Sequence, residues 1–305
     1  MEGARHTTSP VHDGAKEGTF LALTHDVISR MKDAENPRLR EVLTLIVSHL
    51  HTIVREAKIT HGEWWQAIDF LTRAGKMCSD SRQEFILLSD ILGISMLVDA
   101  MDHVGGRGIS DSTVLGPFYA GRQRELAAGD SILLRDEGSD PLELRGRVTC
   151  SEGRPIANAL VEVWQTAPNQ LYDVQDEGQP EGHLRGSFRT DNMGTFRFRT
   201  IMPVSYPIPN DGPAGQLLVA MGRHPFRPAH IHFMISATGY RTLVTHLFLE
   251  GDQYLASDAV FGVKSSLIIR PRLVEGVNTV EYDFGLAAEP GSTRAQLEEL
   301  RRQRR

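Results

Sequence analysis

The sequence predicts an α+β protein in which an N-terminal helical domain precedes an antiparallel β-sandwich. Three observations carry that prediction. Apolar residues recur at helical spacing from about residue 19 to residue 104, and past His103-Val-Gly-Gly-Arg-Gly108 the period changes from 3.6 to 2. The later apolar segments are short and broken by Gly, Pro, Asn and Asp, which favours a sandwich over a β-α-β sheet. A chain of 305 residues allows about two domains.

Taken in order, residues 1–18 read as a loose polar arm and 19–110 as a domain of four helices. Asn36-Pro37 supplies an N-cap followed by proline at the first helical position, after which Val42, Leu45, Ile46, His49 and Ile53 share one face. Thr60-His-Gly-Glu63 and Ser81-Arg-Gln-Glu84 both fit the capping box, each ahead of an apolar run, Trp64–Leu71 and Phe85–Met101. The second run is apolar nearly all round, so it is expected between other elements or, as favoured here, in a subunit contact that makes this domain a dimerisation element. Asp111 to about Arg135 reads as a linker into a domain spanning 111–290. Strands are predicted at Leu142–Thr149, Leu160–Gln165, Thr195–Thr200, Gln216–Met221, Ala229–Ser236, Thr242–Leu249 and Val277–Phe284. Residues 291–305 form a basic tail, read as a solvated end.

Composition removes several classes of function. With 40% hydrophobic and 24% charged residues the chain is an ordinary globular protein, not a disordered or collagenous one. A net charge of -6, with no long basic stretch interleaved with aromatics, argues against nucleic acid as a partner. Cys78 and Cys150 are too few for a disulfide framework and lack metal-binding spacing, which points to a reducing cytoplasm. Residues 1–20 lack the apolar core of a signal peptide, and no apolar run approaches the length of a membrane span.

The most informative stretch is Arg227-Pro-Ala-His-Ile-His-Phe233. On a strand His230 and His232 face one side about 6.5 to 7 Å apart, so both can converge on one ion while Ile231 points into the sandwich. Two polar histidines on a solvent-facing strand would read the same way. No further histidine-and-carboxylate signature accompanies the pair, which leaves tyrosines as additional donors. Tyr172 closes Trp164-Gln-Thr-Ala-Pro-Asn-Gln-Leu-Tyr172, and Tyr206 sits in Met202-Pro-Val-Ser-Tyr-Pro-Ile-Pro209, on loops that can reach the histidine strand. A phenol with a pKa near 10 becomes a ligand only for a strongly Lewis-acidic ion, ferric iron ahead of zinc. Each tyrosine alone also fits a rim or core aromatic.

The spacing W-x(7)-Y over Trp164–Tyr172, a tyrosine in a Pro-rich loop 24 residues before the first histidine, and R-P-A-H-I-H-F together resemble the intradiol ring-cleaving dioxygenases. The resemblance runs from the helical segment to about Phe284. It implies one Fe(3+) per subunit held by Tyr172, Tyr206, His230 and His232, with Tyr172 and His230 equatorial and Tyr206 and His232 axial. It implies that Tyr206 accepts a substrate proton and that Arg227 stabilises charge developing on the ring; a plain salt bridge is the alternative for Arg227. It further implies a homodimer through the N-terminal helices, with a phospholipid between them. Competing readings are a zinc-type or non-catalytic sandwich acting as an interaction module, which would be colourless.

Within that family, Leu115-Gly-Pro-Phe-Tyr119, Thr245-His-Leu-Phe248 and Asp258–Ser266 resemble the branch acting on hydroxyquinol and chlorocatechols more than the catechol branch. His246 stands where catechol-cleaving relatives carry Gln. Asp90 interrupts the apolar run, where a lone carboxylate is costly, and so needs a partner: a third substrate hydroxyl, or a bond to a neighbouring loop. The resemblance puts Leu87, Asp90, Val114, Leu115, Gly116, Pro117, Phe118, Ile208, Pro209, Arg227, His246 and Val260 around the ring. It implies O2-dependent opening of 1,2,4-trihydroxybenzene to 3-hydroxy-cis,cis-muconate, the enol of maleylacetate, in aromatic catabolism, with catechol or a chlorocatechol as the alternative substrate.

Overall fold

The computed structural model describes residues 10–79, 82–103, 105–121 and 123–289. Two compact units divide between Thr72 and Arg73. The predicted tail at 291–305 lies outside the described residues.

The first unit is helical: α1 (Pro10–Ser29), α2 (Pro37–Glu56) and the greater part of α3 (His61–Met77). The expected loose arm is corrected here, because the helix begins at Pro10, while the first nine residues lie outside the described set. Its polar composition includes Ala15, Lys16 and Glu17, all strong helix formers, so polarity does not oppose the helix. Asn36 caps α2 by accepting the Leu39 amide at 3.0 Å. At α3 the box is reciprocal: the Glu63 amide donates to Thr60 Oγ1 at 3.2 Å and the Thr60 amide to Glu63 Oε2 at 2.8 Å. Thr24 Oγ1 and His51 Nδ1, 2.9 Å apart, tie α1 to α2.

In the second unit the apolar run is not one helix. It breaks into α4 (Glu84–Ile91) and α5 (Ile94–Asp102) at Gly93, whose φ of 72° is left-handed backbone that continues no helix. Leu87, Asp90, Ile91 and Met96 turn inward, and Ile86, Leu97 and Val98 outward. The second capping box does not form on the described residues: Ser81 lies outside them, and Gln83 precedes α4 without a side-chain cap. Glu84 is instead fully buried, accepting the Ala214 amide at 2.9 Å and paired with Arg82 at 2.9 Å. Ala214 opens α6 (Pro213–Ala220), where the sequence predicts a strand at 216–221. Pro213 starts the helix, and Ala214 and Leu218 turn one face inward at a spacing of four, which a short apolar run does not distinguish from a strand.

Two five-stranded sheets follow. One contains β1 (Pro141–Cys150), β4 (Thr195–Ile201), β10 (Arg272–Val274), β11 (Val277–Glu281) and β12 (Phe284–Leu286). The other runs β3-β2-β7-β8-β9, from β2 (Leu160–Trp164), β3 (Arg185–Arg189), β7 (His230–Ser236), β8 (Leu243–Leu249) and β9 (Ile268–Ile269). A separate ribbon pairs β5 (Tyr206–Pro207) with β6 (Phe226–Arg227). The sheets are mixed, since β11 and β12 run parallel to β1 and β9 parallel to β8. The predicted strand 277–284 is two strands laid successively along β1. Alternate residues meet in one core, with Leu142 and Leu144 of β1, Phe198 of β4, Val161 and Val163 of β2, and Ile231, Phe233 and Ile235 of β7. Phe198 lies between Phe188 and Phe233, at ring-centroid distances of 5.3 and 6.2 Å, and joins the two layers.

Candidate functional site

Filling the core with Ile231, Phe233 and Ile235 turns His230 and His232 to the opposite face of β7, where they too are buried. Cross-strand register then sets their neighbours: His232 pairs with Trp164 on one side and His246 on the other. The Trp164 indole stacks on His232 at 4.7 Å and 13°, while His246 meets its edge at 4.1 Å. The β5–β6 ribbon places Tyr206 opposite Arg227. Tyr172 arrives on the loop after β2, held by its amide donating to Gln175 Oε1 at 3.1 Å and by Phe118 stacked on its ring at 4.7 Å.

Four donor atoms converge there. Tyr172 Oη lies 2.8 Å from His232 Nε2 and 3.2 Å from Tyr206 Oη, and the two histidine Nε2 atoms are 3.1 Å apart. His230 Nδ1 donates to the Pro228 carbonyl at 2.6 Å, which leaves a lone pair on Nε2. Burial, reinforced by the Arg227 charge, lowers His230 to about 3. Burial likewise drives His232 and His246 well below the ordinary range, so all three rings are neutral. Burial raises the phenols of Tyr172 and Tyr206, so neither ionises unless a cation replaces the lost water. Lone pairs gathered this closely, with two phenols out of water, suit a hard, strongly Lewis-acidic ion.

His246 also lies within the histidine cluster, whose potential donor atoms fall within 4.8 Å. Its role differs, as its partners show. Arg227 Nη2 and Thr113 Oγ1 approach His246 Nδ1 at 3.4 and 2.9 Å, and because a guanidinium can only donate, Nδ1 accepts and the ring proton sits on Nε2. That N–H is buried and has no hydrogen-bond partner among the described residues.

The remaining predicted residues are distributed unevenly. Leu87, Val114, Ile208 and Val260 join one buried apolar cluster with Ile91 and Ala259. Gly116 lies against His232, where a Cβ would stand 3.4 Å from Cε1. Pro117 and Pro209 are half-buried, and Leu115 is exposed. Asp90 is 2% exposed. Burial raises its carboxyl above the usual range, opposed by a hydrogen bond from Ser95 and the charge of Arg227.

Comparison with known proteins gives the family. Residues 114–290 match the family described as Dioxygenase, and residues 36–107 the Catechol dioxygenase N terminus. The chain is 49% identical over 265 residues to the 6-chlorohydroxyquinol 1,2-dioxygenase of Cupriavidus pinatubonensis, covering 87% of this chain and 96% of that one. It is 48% identical to the hydroxyquinol 1,2-dioxygenase of a Rhizobium species, over 86% and 93% of the two chains.

The chain belongs to the intradiol ring-cleavage dioxygenases.

A solved hydroxyquinol 1,2-dioxygenase from Pseudomonas putida superposes with a TM-score of 0.84 at 43% identity, over 90% of this chain and all of that one. Membership sets aside the reading as a non-catalytic interaction module. Intradiol dioxygenases depend on non-haem iron, and the buried histidine cluster is consistent with that.

Two supports of this dioxygenase's site escape the sequence reading. Asp258 pairs with Arg227 at 3.1 Å, both buried, and accepts the Gly262 amide at 2.9 Å. Burial alone would raise the Asp258 carboxyl, but the Arg227 charge and hydrogen bond, helped by His230 and the Gly262 amide, together hold the carboxyl below its ordinary range. Arg185, buried and paired with Asp173, lies 5.6 Å from the centroid of the Tyr172 ring. Asp258 opens the Asp258–Ser266 segment that carries the family resemblance, but its pairing with Arg227 has no sequence signature; Arg185 sits within β3, a strand the alternation does not reveal because four of its five residues are buried.

Proposed function

We propose that this dioxygenase opens hydroxyquinol, 1,2,4-trihydroxybenzene, between its adjacent hydroxyl-bearing carbons, incorporating both atoms of O2 to give 3-hydroxy-cis,cis-muconate, the enol of maleylacetate. The observation that carries the substrate is Asp90, a buried carboxylate on the helix whose Leu87 and Ile91 line the apolar cluster. The names of the two relatives reported above support the same reading.

Tyr172, Tyr206, His230 and His232 are the residues that would hold one Fe(3+) per subunit. Bound there, ferric iron supplies a Lewis acid that acidifies the adjacent hydroxyls and draws electron density from the ring, which opens the ring to O2. Tyr206 Oη takes up the proton released from one hydroxyl. Arg227, neutralised overall by Asp258, and the His246 Nε2–H stabilise negative charge that grows on the ring oxygens. Val114, Gly116, Pro117, Phe118, Ile208, Pro209 and Val260 line the ring and exclude water, and Asp90 accepts the hydrogen bond of the third hydroxyl. Leu115 sits on the rim.

Replacing Asp90 by Asn keeps the shape and removes the charge. A charge-assisted hydrogen bond contributes about 1.5 to 3 kcal/mol, so kcat/KM for hydroxyquinol should fall roughly 10- to 150-fold, with catechol turnover unchanged or improved. Equal losses on both substrates would assign Asp90 to local structure and favour the catechol reading.

The protein acts as a homodimer through its N-terminal helices. Leu43, Ile46, Leu50 and Ile53 form an exposed stripe along α2, which has no buried residue. A phospholipid between these helices belongs to the same proposal. Cytoplasmic placement rests on the two free cysteines, and no helix among the described residues is long and apolar enough to cross a membrane.

A further inference from the structure

We infer that Arg223 is a positioning residue that sets substrate preference by fixing the Asp90 end of α4 against the Asp258–Val260 loop; the inference rests on the reading of Asp90 above. Its guanidinium donates through Nη1 to the Ile91 carbonyl at 2.5 Å and through Nη2 to the Ala259 carbonyl at 2.9 Å. Ile91 adjoins Asp90 in the chain. Ala259 lies between Asp258, which pairs with Arg227, and Val260, which packs beside Leu87 and Val114. One planar fork therefore joins the carboxylate proposed to read the third hydroxyl to the loop that orients the site's cation.

The orientation of that fork is itself determined. Phe261 lies under the guanidinium at 4.4 Å, and Gly93 backs the same ring, where a Cβ would stand 3.4 Å from Phe261 Cδ2. Stacking fixes the plane and the two carbonyls fix the rotation within it. α4 has eight residues, about two turns, so its ends decide where Asp90 lies. Glu84 pins the first end through the Ala214 amide, and Arg223 pins the second, where the negative helix terminus favours a cation. Among the described residues no hydrogen bond joins Arg223 to Tyr172, Tyr206, His230, His232 or His246. Its influence on the chemistry therefore passes through Asp90 and the Asp258–Val260 loop.

Lysine keeps the charge but reaches one carbonyl and does not stack as a plane, whereas methionine keeps the stem alone. The test measures kcat and KM on hydroxyquinol and catechol for Arg223→Lys and Arg223→Met, each alone and combined with Asp90→Asn, alongside thermal midpoint and the visible iron band. Arg223→Lys should keep the band, while kcat/KM for hydroxyquinol falls roughly tenfold, mainly through KM, and catechol shifts by less than about twofold. In the Asp90→Asn background the same change should leave the ratio of the two substrates where it was, because the group being positioned is already gone. Parallel losses on both substrates, or a ratio that moves additively in the double variant, would overturn the inference. A ratio shifted by Asp90→Asn but untouched by Arg223→Lys would reject Arg223 alone. If Asp90→Asn leaves the ratio unmoved, the reading of Asp90 fails and the role of Arg223 falls with it. If Arg223→Met does not fold, Arg223→Lys decides.

Discussion

At the scale of single residues, a phenol as deeply buried as Tyr172 keeps its proton unless a positive charge replaces the water that would stabilise the phenolate. Arg185 and Arg227 each favour the ionised form, but burial outweighs them. An ion bound to Oη would complete the balance. Tyr172→Phe removes that oxygen and leaves the ring stacked on Phe118, so the fold should persist while the visible tyrosinate-to-iron band and tightly held iron are lost. Activity should fall by more than about 100-fold. Iron content by plasma emission and the absorption spectrum of the purified variant check this; a variant with the band and stoichiometric iron would remove Tyr172 from the proposed ligands. His230 and His232 are legible in the sequence because one strand fixes their spacing, whereas Tyr172 and Tyr206 are singled out by the family resemblance, since each alone also fits a rim or core aromatic. The pairings of Asp258 and Arg185 are not legible, because what marks them is burial opposite a charge from a distant segment, a property that no local pattern encodes.

At the scale of elements, α4 and α5 show that an apolar run need be neither one helix nor wholly buried, since Leu87, Ile91 and Met96 turn inward while Phe85, Ile86, Leu92, Ile94, Leu97, Val98 and Met101 stay exposed. Phe85–Met101 is apolar nearly all round, but Gly93 in left-handed conformation ends one helix and lets the next leave in a new direction. The break leaves Asp90 near the end of α4, with Ser95 at the start of α5 bonded back to Ser89 beside it at 2.8 Å. Gly93→Ala forces an L side chain into that backbone at about 1 to 2 kcal/mol and presses on Phe261. For a unit of this size the thermal midpoint should fall by roughly 2 to 8 °C by calorimetry. An unchanged midpoint would mean that the break is not held by Gly93. The strand-for-helix error at Pro213–Ala220 has a related cause, since eight residues with one buried spacing carry too little periodicity to separate the two. The longer β7 is clear because three core residues alternate with two histidines over seven positions.

At the scale of the molecule, the dimer proposal rests on the exposed stripe Leu43, Ile46, Leu50 and Ile53 along α2. Sedimentation should show a dimer at micromolar concentration, and Leu50→Lys together with Ile53→Lys should shift it to monomer; a wild-type monomer would remove the dimer. The order of helices before a sandwich followed from the change of period near Gly108, whereas the parallel placement of β11 and β12 along β1 depends on long-range pairing that alternation leaves open. The whole assignment converges on one reaction, and its products carry its signature. Turnover of hydroxyquinol under 18O2 should consume one O2 per substrate and yield 3-hydroxy-cis,cis-muconate, trapped as maleylacetate, with both labelled atoms introduced at the cleaved bond. A product opened outside the paired hydroxyls, or one retaining a single label under conditions that prevent exchange with water, would contradict the account.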